Sequence, residues 1–260
     1  MKTDGEGRQA SQAASASAAR YFAEAAGLLE RISKTQMSNL LRAAETLADA
    51  AAEGRSLFSF GASHAFMVTE ELVYRAGGLM LMNPIQPHGM TLAVRPLTLT
   101  SKLERVIGLG RELLAQSPAR KGDALVLTST SGRNPVTLDM ALLARETGIR
   151  TIAITSLAYV GKEASRHPCG KMLADLCDVV VDNCVPHGDT VMPVPGSHLR
   201  MAPVSTIASC AIANAMITAT VELLAKRGIE PPVFQSANVE GGEAFNARLL
   251  EQHRDRIHYL

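Results

Sequence analysis

The feature that most constrains the fold is a unit that occurs twice: a short apolar run, a loop of small and hydroxyl residues, and the start of a helix. Residues 56–60 lead into Gly61-Ala62-Ser63-His64, and residues 124–128 lead into Ser129-Thr130-Ser131-Gly132. Short apolar runs bounded by turn residues are typical of buried strands. The repetition therefore predicts strands that alternate with helices and pair in parallel.

Three further runs complete the predicted sheet. Residues 79–83, 150–156 and 178–182 have strand character, and apolar residues at three- and four-residue steps predict two amphipathic helices over residues 21–53. Another helix is bounded by a proline at 135 and a glycine at 148. The predicted fold class is α/β, with a doubly wound parallel sheet covered by helices on both faces. No Gly-x-Gly-x-x-Gly sequence follows any strand, so the fingerprint of dinucleotide binding is absent.

The chain divides into three predicted segments. Residues 1–20, rich in Ala and Ser, are expected to form a flexible tail. Residues 21–228 hold the N-terminal helices and the α/β domain, and residues 229–260 form a C-terminal helical arm with an apolar stripe. Within the domain, Ser-x-x-Glu at residues 101–104 predicts a capping box ahead of a helix that runs through Leu114.

Composition disfavours several classes of partner. Lys plus Arg total 26 and Asp plus Glu total 25, so no excess of positive charge favours nucleic acid. Residues 201–221 carry no formal charge, but their Ala, Ser and Thr content predicts a core helix rather than a membrane span. Four cysteines without a Cys-x-x-Cys pair, and residues 1–20 without an apolar signal region, favour reduced thiols in the cytoplasm.

Both hydroxyl-rich loops follow strands at the edge where open parallel sheets bind ligands. Helix N-termini attract anions there, and Ser and Thr hydroxyls donate to anion oxygens. We predict a phosphate monoester site formed by Ser63, Ser129, Thr130, Ser131, Gly132 and Asn134. The alternative is that Asn134 is only an N-cap and the serines only form turns. One such loop would favour that alternative, whereas two loops in matched positions favour a binding site.

These motifs resemble those of the sugar isomerase (SIS) domain family. Its phosphoheptose isomerases hold phosphate in a Ser-Thr-Ser-Gly loop, to which residues 129–132 are similar, and carry a Ser-His pair and a Glu-Glu-Leu sequence, to which residues 63–64 and 70–72 are similar. Gly-Arg-Asn-Pro at 132–135 and Ser-Ala-Asn at 236–238 resemble a bacterial branch of the family. The resemblance implies a five-stranded, flavodoxin-like sheet, a phosphosugar ligand and homodimers or larger oligomers.

Three residues near the first loop are candidates for proton transfer. Glu71 is the first choice as general base and Glu70 the second, because burial in the cleft would raise the pKa of either carboxyl group. The alternative is a surface ion pair between Glu71 and Arg75, four residues further on. His64 is a candidate for opening a sugar ring or shuttling a proton, or else a structural residue at the start of a helix.

The proline- and glycine-punctuated segment between residues 182 and 200 is a candidate lid. The related isomerases carry a catalytic His on their last long helix, where residues 209–222 contain none, so His187 is a candidate replacement. A weaker hypothesis is a divalent metal site formed by His187, Asp189 and His198, although no metal is expected.

The C-terminal arm is also open to two interpretations. Packed on a neighbouring subunit, it would present Asn238 and Glu243 to the neighbour's cleft. Packed on its own chain, it would only complete the core.

The leading interpretation is a cytoplasmic, cofactor-free isomerase that interconverts the aldose and ketose forms of a sugar phosphate through an enediol, as a homodimer or tetramer. Two alternatives remain open. One is a lyase or etherase that expels a substituent next to a carbonyl, and the other is a sensor that binds a sugar phosphate without turnover. Neither nucleic acid nor a membrane is an expected partner.

Overall fold

Two helices open the chain. The computed structural model describes residues 2–260, and their side chains from residue 7 onward. Helix α1 (Lys2–Thr35) is followed by helix α2 (Met37–Ala52). The tail predicted over residues 1–20 is helical from residue 2, as the first part of α1. Its described side chains are almost all exposed, so the strong helix propensity of alanine, rather than packing, accounts for this segment.

The predicted five-stranded parallel sheet is confirmed. Its strands are β1 (Leu57–Gly61), β2 (Met82–Pro84), β3 (Ala124–Thr128), β4 (Arg150–Thr155) and β5 (Val179–Asp182). The strand order is β2-β1-β3-β4-β5, and every pairing is parallel. Because the order reverses at β1 and β3, the chain leaves the sheet in opposite directions there, and a crevice opens above the ends of these two strands.

Helices cover both faces of the sheet. Helices α2, α3 (Phe66–Leu72) and α8 (Ser205–Lys226) pack on one face, and α5 (Leu109–Ala115), α6 (Pro135–Thr147) and α7 (Leu173–Leu176) pack on the other. Adjacent strand residues alternate between these layers, so Leu57 is buried in the first core cluster and Phe58 in the second. Burial of each large apolar side chain stabilises the fold by about 1.5–3 kcal/mol.

One connection differs from the sequence prediction. The predicted capping box is wrong: α4 (Thr98–Leu103) ends before Glu104, and α5 starts separately at Leu109. The carbonyl of Glu104 instead accepts the backbone N–H of Val136 at 3.2 Å, which joins this turn to the start of α6. The candidate lid over residues 182–200 contains β6 (Thr190–Pro193) and leads into β7 (Arg200–Pro203), and these two strands form an antiparallel hairpin.

Helix α8 is, within the described residues, the one helix long and apolar enough to cross a membrane by length and composition. In its most apolar window 44% of the residues are buried in the chain, where Ile212 and Met216 pack in the core. The other side exposes Asn214 and Thr218 to solvent. The burial and the polar outer residues agree with the predicted core helix.

The C-terminal arm packs on its own chain. Phe234, Leu249 and Ile257 form a small core cluster with Met80, and Val233 makes an antiparallel bridge to Leu79. Helix α9 (Gly242–Gln252) provides one side of this cluster. Within a single chain the arm thus packs as the second interpretation describes, and its contribution to a neighbouring subunit stays a prediction.

Asn83 is the polar centre of this docking. It is 1% exposed, and its side-chain N–H groups donate to the carbonyls of Leu57, Leu81 and Arg256 at 2.9–3.1 Å. Its Oδ1 accepts the backbone N–H of His258 at 2.6 Å. One side chain thus satisfies backbone groups of β1, the β2 region and the arm.

We expect Asn83→Ala to lower the free energy of unfolding by about 2 kcal/mol, because it leaves buried backbone groups without partners. The effect should be greatest in the arm, so backbone amides of residues 254–260 should exchange with deuterium faster than in the wild type. Hydrogen-exchange mass spectrometry measures this. Unchanged protection of residues 254–260 would contradict the proposed role of Asn83.

Candidate functional site

Two strand ends place the hydroxyl loops side by side. Gly61 at the end of β1 pairs with Thr128 at the end of β3, so both loops start at the same level of the sheet edge. A side chain at Gly61 would collide with the carbonyl of Ala65, which explains the need for glycine where the chain turns tightly. Ser63 has φ of 56°, a left-handed conformation that costs roughly 1–3 kcal/mol and is common at ligand sites.

A cavity of about 270 Å³ lies between these loops. Its volume is close to the lower end of small-ligand sites, roughly 300–1,000 Å³. The hydroxyl residues predicted from the sequence all contribute to its wall: Ser63, Ser129, Thr130 and Ser131. The remaining polar lining residues are His64, Glu104, Thr128, Asn134, Thr137, Tyr159, Asp189 and Ser205. The two loops therefore enclose one polar space.

The loop Ser129–Gly132 is held by its own backbone. The N–H of Gly132 donates to Ser129 Oγ at 3.2 Å, and the carbonyl of Gly132 accepts from Leu173 N at 2.8 Å. The carbonyl of Thr130 accepts from Ser156 N at 3.0 Å. Gly132 has φ of 60°, which suits glycine. Gly132 thus shapes the loop rather than offering its N–H to a ligand.

Several donors at this edge have no protein partner. Within the described part of the chain, the backbone N–H groups of Thr130 and Ser131 make no hydrogen bond. The Thr128 hydroxyl is buried and also has no partner among the described residues. Buried polar groups are normally satisfied, so such groups around a cavity indicate a place for an acceptor-rich ligand.

Asn134 lines the cavity and is hydrogen-bonded to its neighbours there. Its side chain makes no capping bond to α6, so it is not an N-cap in the hydrogen-bonding sense. Its Nδ2 donates to Glu104 Oε2 at 2.6 Å, and its Oδ1 accepts from Arg166 Nη1 at 2.8 Å. Asn134 therefore orients Glu104 in the cavity wall, and its contact with a phosphate stays a prediction.

Burial raises the pKa of the Glu104 carboxyl group above its ordinary value. The hydrogen bond from Asn134 and the charges of Arg105 and Arg166 act in the opposite direction and are outweighed. Such a shift is common for carboxyl groups that exchange protons at functional sites.

His64 lies where this cavity continues along α8. It also lines a second cavity of about 500 Å³, with Tyr21, Ile207 and Cys210 among the other residues in its wall. The imidazole is exposed and lies at the junction of the two spaces. A proton carrier at this position would reach a ligand in the first cavity from the open side.

Asp189 lines both cavities and is bonded to the start of α8. Its carboxylate accepts from the N–H groups of Val204 and Ser205 at 3.1 and 2.8 Å and from the Ser205 hydroxyl at 2.6 Å. This is the favourable end of a helix for a negative charge. The role of Asp189 is thus to cap the helix.

Glu71, the predicted base, lies outside the first cavity in the single chain. Its carboxylate pairs with Arg75, as the surface alternative expected, and accepts from Asn214 Nδ2 at 2.6 Å. Glu70 is exposed. The three bonded residues form an open polar cluster between α3 and α8.

The structure does not assemble the hypothetical metal site. His187 contacts Glu163 at 3.1 Å and stacks beside Tyr159, with ring centroids 4.7 Å apart. Asp189 is engaged by α8, and His198 is exposed. Among the described residues, no group of three His, Cys, Asp or Glu side chains is arranged to hold a metal ion. His187 stands behind the Tyr159 wall rather than in the cavity.

Asn238 and Glu243 are exposed and line no part of the first cavity of their own chain. Asn238 borders a separate pocket of about 240 Å³ beside Tyr74 and Arg75.

Sequence reasoning missed several residues of the cavity. The sequence pattern places Glu104 in a capping box and Thr128 in a strand, and it singles out neither Tyr159 nor Ser205. The signal available for Thr128 was its position as the last strand residue before a hydroxyl loop. Glu104 had no comparable signal, because only the contact between the turn after α4 and the start of α6 brings it to the cavity.

Known proteins resemble this chain along most of its length. A family model described as SIS domain matches residues 20–156, more than half of the chain. A UPF0309 protein of Streptomyces griseus is 44% identical over 243 residues, covering 93% of this chain and 97% of the relative. A UPF0309 protein of Shouchella clausii is 42% identical over 241 residues, with coverages of 93% and 98%.

Solved structures share the fold at low identity. The phosphoheptose isomerase of Neisseria gonorrhoeae has a TM-score of 0.52 and 19% identity, covering 78% of this chain and 97% of that one. The phosphoheptose isomerase of Francisella tularensis has a TM-score of 0.53 and 12% identity, with coverages of 79% and 97%. At these identities the likeness establishes the architecture alone.

Proposed function

The chain belongs to the SIS domain family, and from this premise we propose that it binds a sugar phosphate in the cavity between its two hydroxyl loops and interconverts the aldose and ketose forms. The observation that carries the proposal is the convergence of Ser63, Thr128 and residues 129–131 on one polar cavity. The partner of this cavity is a small phosphorylated sugar.

The phosphate is assigned to the loop. The N–H groups of Thr130 and Ser131 and the hydroxyls of Thr128 and Ser131 supply donors without a fixed positive charge. Ser63 closes the space from the β1 loop. A phosphate anchored at one end of a sugar fixes the other end for reaction, so binding energy is converted into orientation.

The reaction needs proton carriers and no redox change. Isomerisation moves one proton between neighbouring carbons and another between their oxygens through an enediol. His64 is assigned to the oxygens, because it borders the cavity and is open to solvent. No cofactor is required for this chemistry, and the protein is assigned to the cytoplasm.

A homo-oligomer is part of the proposal. The exposed surface of α3 and α8 carries Met67 and Ile207 beside the Glu71–Asn214 bond. A second copy seated there would cover these apolar side chains and bring Glu71 into an enclosed site. The contribution of Asn238 and Glu243 to a neighbour remains a prediction of the same arrangement.

The test is incubation of the protein with aldose and ketose phosphates of four to seven carbons in D₂O, followed by NMR and mass spectrometry. An isomerase yields the partner sugar phosphate with deuterium on carbon. A lyase or etherase yields a product that has lost a substituent. A sensor binds a compound of the panel and leaves all of them unchanged, which would contradict the isomerase proposal.

A further inference from the structure

We propose that Glu104 is the catalytic carboxylate of this cavity, the group that takes up and returns the carbon-bound proton of the sugar phosphate. This inference rests on the proposed function and adds to it a residue that was assigned to a helix cap from the sequence.

The position of Glu104 in the fold suits a catalytic group. Glu104 lines the same cavity as Ser63 and residues 129–131. Its Oε2 accepts from Asn134 at 2.6 Å, whereas its Oε1 has no hydrogen bond within the described part of the chain. One oxygen is therefore fixed and the other is available to a ligand.

The side chain and the main chain of Glu104 are both held in a fixed orientation. Arg166 Nη1 donates to Asn134 Oδ1 at 2.8 Å, and the Asn134 amide then donates to Glu104. The main chain is held as well, because the Glu104 carbonyl accepts from Val136 N at the start of α6. A base oriented by a second group, itself oriented by a third, is the arrangement expected at a reacting centre.

The other carboxylates near this cavity are bonded to other groups of the protein. Among the described residues that line this cavity, the other carboxylate is Asp189, and α8 engages both of its oxygens. Glu71 is paired with Arg75 and Asn214 away from the cavity wall.

The environment also suits proton exchange. Burial raises the pKa of Glu104 toward the range of a useful base, and Arg166 and Arg105 limit that rise. A negative carboxylate beside a phosphate would repel it, so we assign Glu104 to the carbonyl end of the sugar and the hydroxyl loop to the phosphate.

The proton balance closes without a further reactant. In the aldose-to-ketose direction, Glu104 takes the proton from C2, the C–H electron pair forms the C1–C2 double bond, and O1 receives a proton from His64. The C2 hydroxyl then returns a proton to His64, and C1 takes the proton held by Glu104. The sugar as a whole is neither oxidised nor reduced, because C1 is reduced while C2 is oxidised to the same extent.

The test uses the panel compound that the wild type isomerises fastest, with the matching alditol phosphate as an unreactive ligand. We expect Glu104→Gln to lower kcat by roughly 10²–10⁴-fold while the affinity for the alditol phosphate stays within about threefold. We expect formate to restore part of the activity of Glu104→Ala, because a small carboxylate can occupy the vacated space. The matched control is Glu112→Gln, an exposed carboxylate on α5 outside the cavity, with wild-type kcat.

Each outcome decides between the possibilities. Loss of both kcat and alditol phosphate binding in Glu104→Gln, without rescue of Glu104→Ala by formate, would assign Glu104 a structural role and overturn the proposal. Wild-type kcat in Glu104→Gln together with a large loss in Glu71→Gln would move the base to the α3–α8 cluster. A wild type that binds alditol phosphates but isomerises no sugar overturns the inference and leaves the phosphate site standing. If the wild type binds no phosphorylated compound, the proposed function itself is contradicted.

Discussion

Ser131→Asp is expected to abolish binding of sugar phosphates, with a loss of affinity of at least roughly 1,000-fold. Ser131 lines the cavity, and the N–H group next to its side chain has no partner in the described chain. A carboxylate at this position would accept from the N–H groups that we assign to the phosphate, and it would repel the phosphate dianion. Like charges in such a juxtaposition cost several kcal/mol, and each 1.4 kcal/mol is a factor of ten in affinity. Isothermal titration with a sugar phosphate measures the loss.

The matched control is Ser15→Asp, which introduces the same charge on an exposed position of α1. It should bind sugar phosphates as the wild type does. Thermal melting of both variants without ligand separates loss of binding from loss of folding. If folded Ser131→Asp retained wild-type affinity, the phosphate would have to lie elsewhere.

Gly110→Ala is expected to destabilise the protein by about 4 kcal/mol. Gly110 is the point of closest approach between α5 and α6: a Cβ atom there would overlap the carbonyl oxygen of Val136 and lie 2.8 Å from Asp139 Cβ. Neither neighbour can move easily, because Gly108 N is bonded to Asp139 Oδ2 at 2.7 Å and Val136 N to the Glu104 carbonyl at 3.2 Å. Overpacking against backbone costs 1–3 kcal/mol in ordinary cases and more where relaxation is blocked.

The measurement is thermal unfolding, and the expected fall in Tm is roughly 8–16 °C for a chain of this size. The control is Gly27→Ala on α1, where a Cβ would meet nothing within 4 Å. That change should stabilise the protein by up to about 1 kcal/mol, because alanine is the better helix former. A Gly110→Ala variant as stable as the wild type would show that α5 can shift away from α6, and the fixed position of Glu104 would lose its support.

The sheet could be predicted from the sequence because the residue pattern of each strand agrees with its burial in the fold. The runs at 56–60 and 124–128 are apolar, short and followed by turn residues, and each forms a buried strand. Helix α6 starts at Pro135 and is followed by Gly148 with φ of 76°, as the helix-boundary rules predict. The N-terminal segment is helical in the structure, because Ala and Ser richness suits a solvated helix as well as a tail.

The site could be predicted only in part. The hydroxyl loops were predictable because strand pairing places Gly61 and Thr128 at one level. The roles of Asn134 and Glu104 were not, because their bond joins residues 30 positions apart and depends on how α5 packs on α6. Glu71 is a different case: its helix was predicted correctly, and within the single chain its side chain is bonded to Asn214 of α8 outside the cavity.

The measurement that tests the central claim most directly is a thermal-shift titration of the wild type with sugar phosphates and with the same sugars lacking phosphate. A ligand that binds only the folded protein raises Tm by an amount that grows with the logarithm of the ligand concentration relative to Kd. Stabilisation by phosphorylated members alone, and its loss in Ser131→Asp, is the result the hydroxyl-loop site predicts. Equal shifts from both sets of sugars, or shifts that persist in Ser131→Asp, would contradict it.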